Sequence, residues 1–188
     1  MRVLGIHDGH NASACLIEDG QLVVALQEER LAYKKNKAGF PSESIKHILK
    51  LRNLSTKDID YVAVASAHTS PLFATEEYFK KHKKSRAEQY LRQMAMKTPL
   101  YTLYKNTRRK KRAEDITNIG FSKEKIQFID HHECHAATAY FGSAFPKNEP
   151  ILVLTNDGAG DGLCATVSVA KNNQLKRIAE VKSSNSLA

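Results

Sequence analysis

Apolar positions near the N-terminus fall in short runs separated by polar turns. Arg2-Val3-Leu4-Gly5-Ile6 reads as a strand, a polar loop continues to Asn11, and residues 12–18 read as a second strand. Asp19-Gly20 predicts a hairpin turn into Leu22-Val23-Val24-Ala25-Leu26, because an Asp-Gly pair accepts the backbone of a tight two-residue loop. The opening is thus expected to be an antiparallel meander. Pro41-Ser42 begins a helix that places Ile45, Ile48 and Leu49 on one face. A capping turn at Ser55-Thr56-Lys57-Asp58 precedes a short strand of buried type, Tyr61-Val62-Ala63-Val64-Ala65. Residues 74–117 read as mostly helical, broken near Pro99, with Tyr78, Phe79, Tyr90, Leu91, Met94 and Met96 as packing positions. Ile126-Gln127-Phe128-Ile129 is a further strand, followed by an alanine-rich helix that ends near Gly142, and residues 146–150 form a turn.

The opening order then recurs. Strand 151–154, the glycine loop Asp157-Gly158-Ala159-Gly160-Asp161-Gly162, strand 163–170, a turn at Lys171-Asn172-Asn173 and strand 175–181 repeat it. This predicts a duplicated α/β fold whose second copy has barely begun at residue 188. Neither the Asp8-Gly9 loop nor the Asp157–162 loop opens a helix, so the geometry of a Rossmann or P-loop site is not predicted. Phosphate binding there would have to use backbone N–H groups of a hairpin, with glycine allowing close approach.

Composition narrows the classes further. The 188 residues are 41% hydrophobic, enough for an ordinary core. No membrane-length apolar run or secretory leader is present, which makes the cytoplasm the expected location. Cys15, Cys134 and Cys164 are well separated and form no CxxC pair, as expected of reduced thiols. The formal charge of +9 is uneven: residues 80–112 hold thirteen Lys or Arg against Glu88 alone, net +12, which leaves about −3 elsewhere. The basicity belongs to one segment. Interleaved with Tyr90, Tyr101 and Tyr104, that segment could dock to nucleic acid, an anionic membrane or an acidic partner; the blander expectation is a solvated helical face.

Chemistry concentrates in Asp130-His131-His132-Glu133-Cys134-His135. His131 and His135, four apart on a helix, share a face one turn apart, a spacing suited to two imidazoles on one metal. The zinc-protease pattern His-Glu-x-x-His is missed by one residue, since His132-Glu133-Cys134-His135 is too short. A third ligand is needed. Asp157 is the first candidate and Asp130 the second; mixed imidazole and carboxylate ligation suits iron(II), zinc or manganese alike. Cys134 is expected to be a small buried thiol rather than a ligand.

Asp130-His131-His132-x-x-His135-Ala136-Ala137-x-Ala139-Tyr140, the loop Asp157-Gly158-x-Gly160-Asp161, and an N-terminal stretch resemble the nodulation-type and antibiotic-biosynthesis O-carbamoyltransferases in their N-terminal domain. That stretch comprises Val3-Leu4-Gly5-Ile6, His10-Asn11-Ala12-Ser13-Ala14, Asp19-Gly20, Glu28-Glu29-Arg30, Lys34-Lys35 and Phe40-Pro41. The resemblance covers most of the chain except the basic segment. It implies an actin-like fold of two ribonuclease H-like lobes, similar to the metalloprotein of tRNA threonylcarbamoyladenosine synthesis. Residues 1–146 would form the first lobe, with a basic insertion at about 74–117, and 147–188 the truncated start of the second.

The chemistry implied starts from carbamoyl phosphate and ATP, joined as carbamoyl adenylate by a C-terminal domain. Carbamoyl transfer to a hydroxyl of a small-molecule acceptor follows, assisted by a divalent metal, iron(II) foremost, on His131, His135 and Asp157. His10 would accept the hydroxyl proton. Lys35 or its neighbour Lys34, with Asn11, Gly158, Gly160 and Asp161, would contact the nucleotide or carbamoyl phosphate. A fourth metal ligand is expected beyond this chain, so the chain is expected to be an N-terminal fragment that does not complete the reaction alone. An actin-like nucleotide binder without carbamoyl chemistry is the other alternative, disfavoured by the histidine pair.

Overall fold

The computed structural model describes residues 1–67 and 99–186. Tyr78, Phe79, Tyr90, Leu91, Met94 and Met96, and most of the basic segment, lie outside the described residues. The chain folds as two compact units: Met1–Ala65 with the described residues up to Phe128, and Ser66 and Ala67 with the chain from Ile129 onward. The class is mixed α/β.

The first unit is built on a five-stranded mixed sheet in the order β3-β2-β1-β4-β5, formed by β1 (Arg2–His7), β2 (Ser13–Glu18), β3 (Gln21–Gln27), β4 (Tyr61–Ala65) and β5 (Ile126–Ile129). Strands β1, β2 and β3 form the expected antiparallel meander, and β4 runs parallel to β1. Asp19 and Gly20 make the first hairpin with φ of 48° and 83°, left-handed at both positions as a two-residue turn requires. Register converts strand alternation into one apolar face: Leu4 lies opposite Leu16 and Val62, and Ile6 opposite Ala14 and Val64. All six are buried, and Ile45, Ile48, Ile59, Ile116 and Phe121 complete this core.

The helices of this unit are α1 (Glu28–Ala32), α2 (Ser42–Leu51) and α3 (Pro99–Asn118). The short α1 was not foreseen from the pattern. Its Glu28, only 2% exposed, accepts hydrogen bonds from the backbone N–H groups of Glu43 and Ser44 and from the Ser44 hydroxyl. A buried carboxylate from α1 thus satisfies the orphan donors at the start of α2. Ser55 and Asp58 form the expected capping box.

On α3, Arg112 stands one turn before the core residue Ile116 and is turned inward with it. Its guanidinium grips Asp8 through Nε (2.6 Å) and Nη2 (2.8 Å), donates to the Ala65 carbonyl (3.0 Å), and lies 4.8 Å from the Phe128 ring centre. One cation of the basic run is therefore an internal clamp on the Asp8-Gly9 loop, and does not belong to a cationic surface.

The second unit holds an antiparallel meander, β6 (Ile151–Gly160), β7 (Leu163–Lys171) and β8 (Gln174–Lys182), against α4 (His131–Gly142). Ala136, Tyr140, Val153 and Ala170 form its core, with Ile151 and Leu175 packed on them. Asp161-Gly162 and Asn172-Asn173 are left-handed two-residue turns like Asp19-Gly20. The glycine loop predicted at 157–162 is thus largely strand: β6 pairs with β7 to Asn156, loses register, and pairs again at Gly160 opposite Leu163. The intervening Asp157, Gly158 and Ala159 form a bulge, a device that redirects a side chain out of the pleat. Among the described residues no helix is long and apolar enough to cross a membrane.

Candidate metal centre

Three donor atoms converge at the start of α4. Asp130 caps this helix by accepting from the Glu133 N–H at 2.9 Å, and Arg177 of β8 pairs with the Asp130 carboxylate. The cap fixes where the helix begins, and so fixes His131 and His135 one above the other. Their Nε2 atoms are 3.1 Å apart. Asp157, swung out by the bulge in β6, brings its Oδ2 to 2.6 Å from His131 Nε2 and 3.6 Å from His135 Nε2. Asp157 therefore joins the imidazole pair, and Asp130, the second sequence candidate, is committed to the helix cap.

These distances test whether a metal fits. The circle through the three atoms has a radius of roughly 1.8 Å, inside the ~2.0–2.2 Å at which zinc binds imidazole nitrogen and carboxylate oxygen. His131, His135 and Asp157 would each give such an ion one donor atom. A single proton on His131 Nε2 can serve Asp157 and His135 only as a bent, bifurcated bond, whereas a central cation engages a lone pair from each. Burial, reinforced by His131, pushes the His135 imidazole below its ordinary pKa, which favours the neutral form a metal needs. The hydrogen bond from His131 is the largest of the influences holding the Asp157 carboxyl below the usual carboxylate value. The donor set fits a first-row dication.

Neighbouring residues brace the centre. His132 is fully buried, and its Nδ1 lies 2.8 Å from Thr155 Oγ1, itself 2.7 Å from Thr166 Oγ1, which fastens α4 to β6 and β7. Cys134 is half-buried with its thiol pushed up chiefly by burial, and it stands outside the cluster. Gly158 N–H donates to Asp157 Oδ1 (2.6 Å), so this amide is engaged within the bulge. The Asp161 carboxylate accepts from His131 N–H and Ala67 N–H, each at 2.8 Å, and from Ser66 Oγ at 3.0 Å. Two groups expected at a phosphate thus face the protein. No local signal in the sequence pointed to Ser66 or Ala67, which are 95 and 94 residues from Asp161.

His10, Asn11 and Lys35 lie in the first unit and are exposed. The His10 carbonyl is 2.8 Å from His7 Nε2, Asn11 takes a left-handed backbone with φ 57°, and Ala12 N–H bonds to the Lys37 carbonyl. Gly39 N–H reaches the Gly9 carbonyl, so the first loop and the lysine loop are tied to each other by main-chain bonds.

A family model described as Carbamoyltransferase N-terminus matches residues 2–188. The chain belongs to this family. Among relatives of this carbamoyltransferase N-terminus, an uncharacterised Synechocystis protein, sll1178, is 33% identical over 173 residues, 88% of this chain and 26% of that protein. The nodulation protein NolNO of Sinorhizobium fredii is 31% identical over 179 residues, 95% of this chain and 24% of that protein. An uncharacterised Methanocaldococcus jannaschii protein, MJ1051, is 31% identical over 95% of this chain and 26% of its own length. The carbamoyltransferase N-terminus described here thus spans about a quarter of the curated relatives it matches. Among solved structures, YeaZ from Pseudomonas aeruginosa aligns over 96% of this chain and 67% of its own, with a TM-score of 0.43 and 8% identity.

Proposed function

We propose that the chain is the N-terminal region of an O-carbamoyltransferase. It passes the carbamoyl group of carbamoyl adenylate, made from carbamoyl phosphate and ATP by a C-terminal adenylating domain, to a hydroxyl of a small-molecule acceptor: the acceptor oxygen bonds the carbamoyl carbon, and AMP leaves with the electron pair of the broken carbamoyl–phosphate C–O bond. The observation that carries this reading is the convergence of His131, His135 and Asp157 in a chain of this family. These three would hold a divalent metal, iron(II) foremost, with zinc and manganese as alternatives. When bound, such an ion supplies Lewis-acid polarisation of a phosphoryl or carbamoyl oxygen.

The chain's own groups have distinct tasks in this proposal. The imidazoles offer lone pairs from a capped, braced helix, and Asp157 contributes negative charge. His10 accepts the acceptor hydroxyl's proton at a ring nitrogen. The Lys35 ammonium and Asn11 contact phosphate oxygens from the two tethered loops. The actin-like reading of the fold draws support from each unit containing a three-stranded antiparallel meander whose second and third strands are joined by a left-handed two-residue turn.

Calorimetry with a non-hydrolysable carbamoyl adenylate analogue tests this. The protein loaded with iron(II) under anaerobic conditions should bind about one ion and bind the analogue more tightly than the metal-stripped protein. His131→Ala, His135→Ala and Asp157→Ala should each abolish that difference. Equal analogue affinity with and without metal, or undiminished metal in the histidine variants, would overturn the proposal.

A further inference from the structure

The Asp-Gly-Ala-Gly-Asp hairpin has two features that a phosphate cradle does not explain. Gly160 leaves room for the His131 ring: a Cβ there would stand 2.0 Å from His131 Cδ2, 2.2 Å from Cγ and 2.5 Å from Nε2. No positive φ demands glycine at that position; the demand is for space. Asp161 points the other way from a ligand. Its Oδ2 collects the His131 and Ala67 amides and its Oδ1 the Ser66 hydroxyl, so one carboxylate joins the first turn of α4 to the chain beyond β4.

We infer that Gly160 and Asp161 are positioning residues for the metal centre: the hairpin sets His131 from both ends, by a missing side chain under its ring and by a carboxylate on its backbone. This rests on the metal reading above and assigns the second half of the glycine motif to that site's geometry. Adding a methyl group at residue 160 forces the ring away by about 1.4 Å to regain ordinary contact at 3.4 Å. Metal ligation tolerates about 0.2 Å. Asp161 also occupies a left-handed turn, φ 49°, so a test must separate the turn from the carboxylate. Asp161→Gly keeps the backbone and removes the acceptor. Asp161→Asn suits the turn too, and its amide oxygen can take both N–H donors while its NH2 faces the Ser66 hydroxyl.

The test titrates the 188-residue protein with cobalt(II) and follows affinity and the visible ligand-field spectrum, with circular dichroism as the folding check. Gly160→Ala and Asp161→Gly should lose about 10- to 100-fold in affinity, the range for supporting shells, with an altered spectrum. Asp161→Asn should stay within a few-fold of the parent. Gly142→Ala, on the same helix with nothing within 4 Å of the new Cβ, should match the parent. Parent-like affinity and spectrum in a folded Gly160→Ala would overturn the inference. If Asp161→Gly does not fold, Gly160→Ala decides. If the parent binds no cobalt, the metal reading fails by itself. The positioning claim is then read from the His131 imidazole NMR resonances at fixed pH, which must shift in Gly160→Ala and not in Gly142→Ala; unshifted resonances in Gly160→Ala would overturn it.

Discussion

Replacing Arg112 by methionine isolates the clamp on the first loop. Arg112 and Asp8 have side-chain exposures of 6% and 10%, so the substitution removes three hydrogen bonds and strands a carboxylate nearly out of water. Removing one partner of such a buried pair costs about 3–5 kcal/mol, mostly as the uncompensated charge left behind. For a chain of this size that is a fall in Tm of roughly 6–20 °C, at about 2–4 °C per kcal/mol. Lys110, three-quarters exposed with Glu114 at 3.9 Å, is the comparison, and Lys110→Met should change stability by no more than about 0.5 kcal/mol. The protein has no tryptophan, so urea unfolding is best followed by far-ultraviolet circular dichroism. Asp8→Asn combined with Arg112→Met should recover a large part of the loss, because no charge is then stranded. A cost below about 1 kcal/mol for Arg112→Met alone, typical of an exposed pair, would refute the assignment of Arg112 to the interior.

Other outcomes follow from the same kind of reasoning. Gly5 lies opposite Cys15, and a Cβ on it would stand 2.6 Å from Cys15 Sγ; Gly5→Ala should cost about 1–3 kcal/mol by overpacking, with Cys15→Ala relieving most of it in thermal melts. Glu28→Ala should lower stability by about 1–3 kcal/mol, since two amides and a hydroxyl lose a buried acceptor, and Glu28→Gln, whose NH2 would confront one of those amides, should fall between. Glu18 is held below its ordinary value of 4.5, first by the hydrogen bond from Arg2 and also by Arg52. A depressed carboxyl stabilises the fold above its unfolded value and loses that contribution as pH falls through the folded value. Glu18→Gln should therefore be less stable than the parent at neutral pH and converge with it in acid; a gap that persists in acid urea melts would count against this.

Local pattern alone specified most of the elements. Alternation at residues 3–6 and 61–65, the Asp19-Gly20 turn, and the helix that carries His131 and His135 each depend on residues within a few positions, so propensity and periodicity suffice to read them. The imidazole pair was legible for the same reason, because a helix places residues four apart on one face whatever surrounds it. Tertiary structure decided the rest. Spacing left Asp157 and Asp130 both open as the third donor, and the bulge in β6 together with the Arg177 pair on Asp130 separated their tasks. Arg112, one of five consecutive cations, is buried only because Asp8, 104 residues earlier, meets it. Glu28 stood in the sequence only as part of a family-like charged stretch and Asp161 as an expected nucleotide contact, until long-range packing supplied the donors they satisfy. Charge and hydrogen-bond partners are chosen by chain segments that sequence distance does not relate, and a buried carboxylate takes its meaning from whichever donors the fold brings to it.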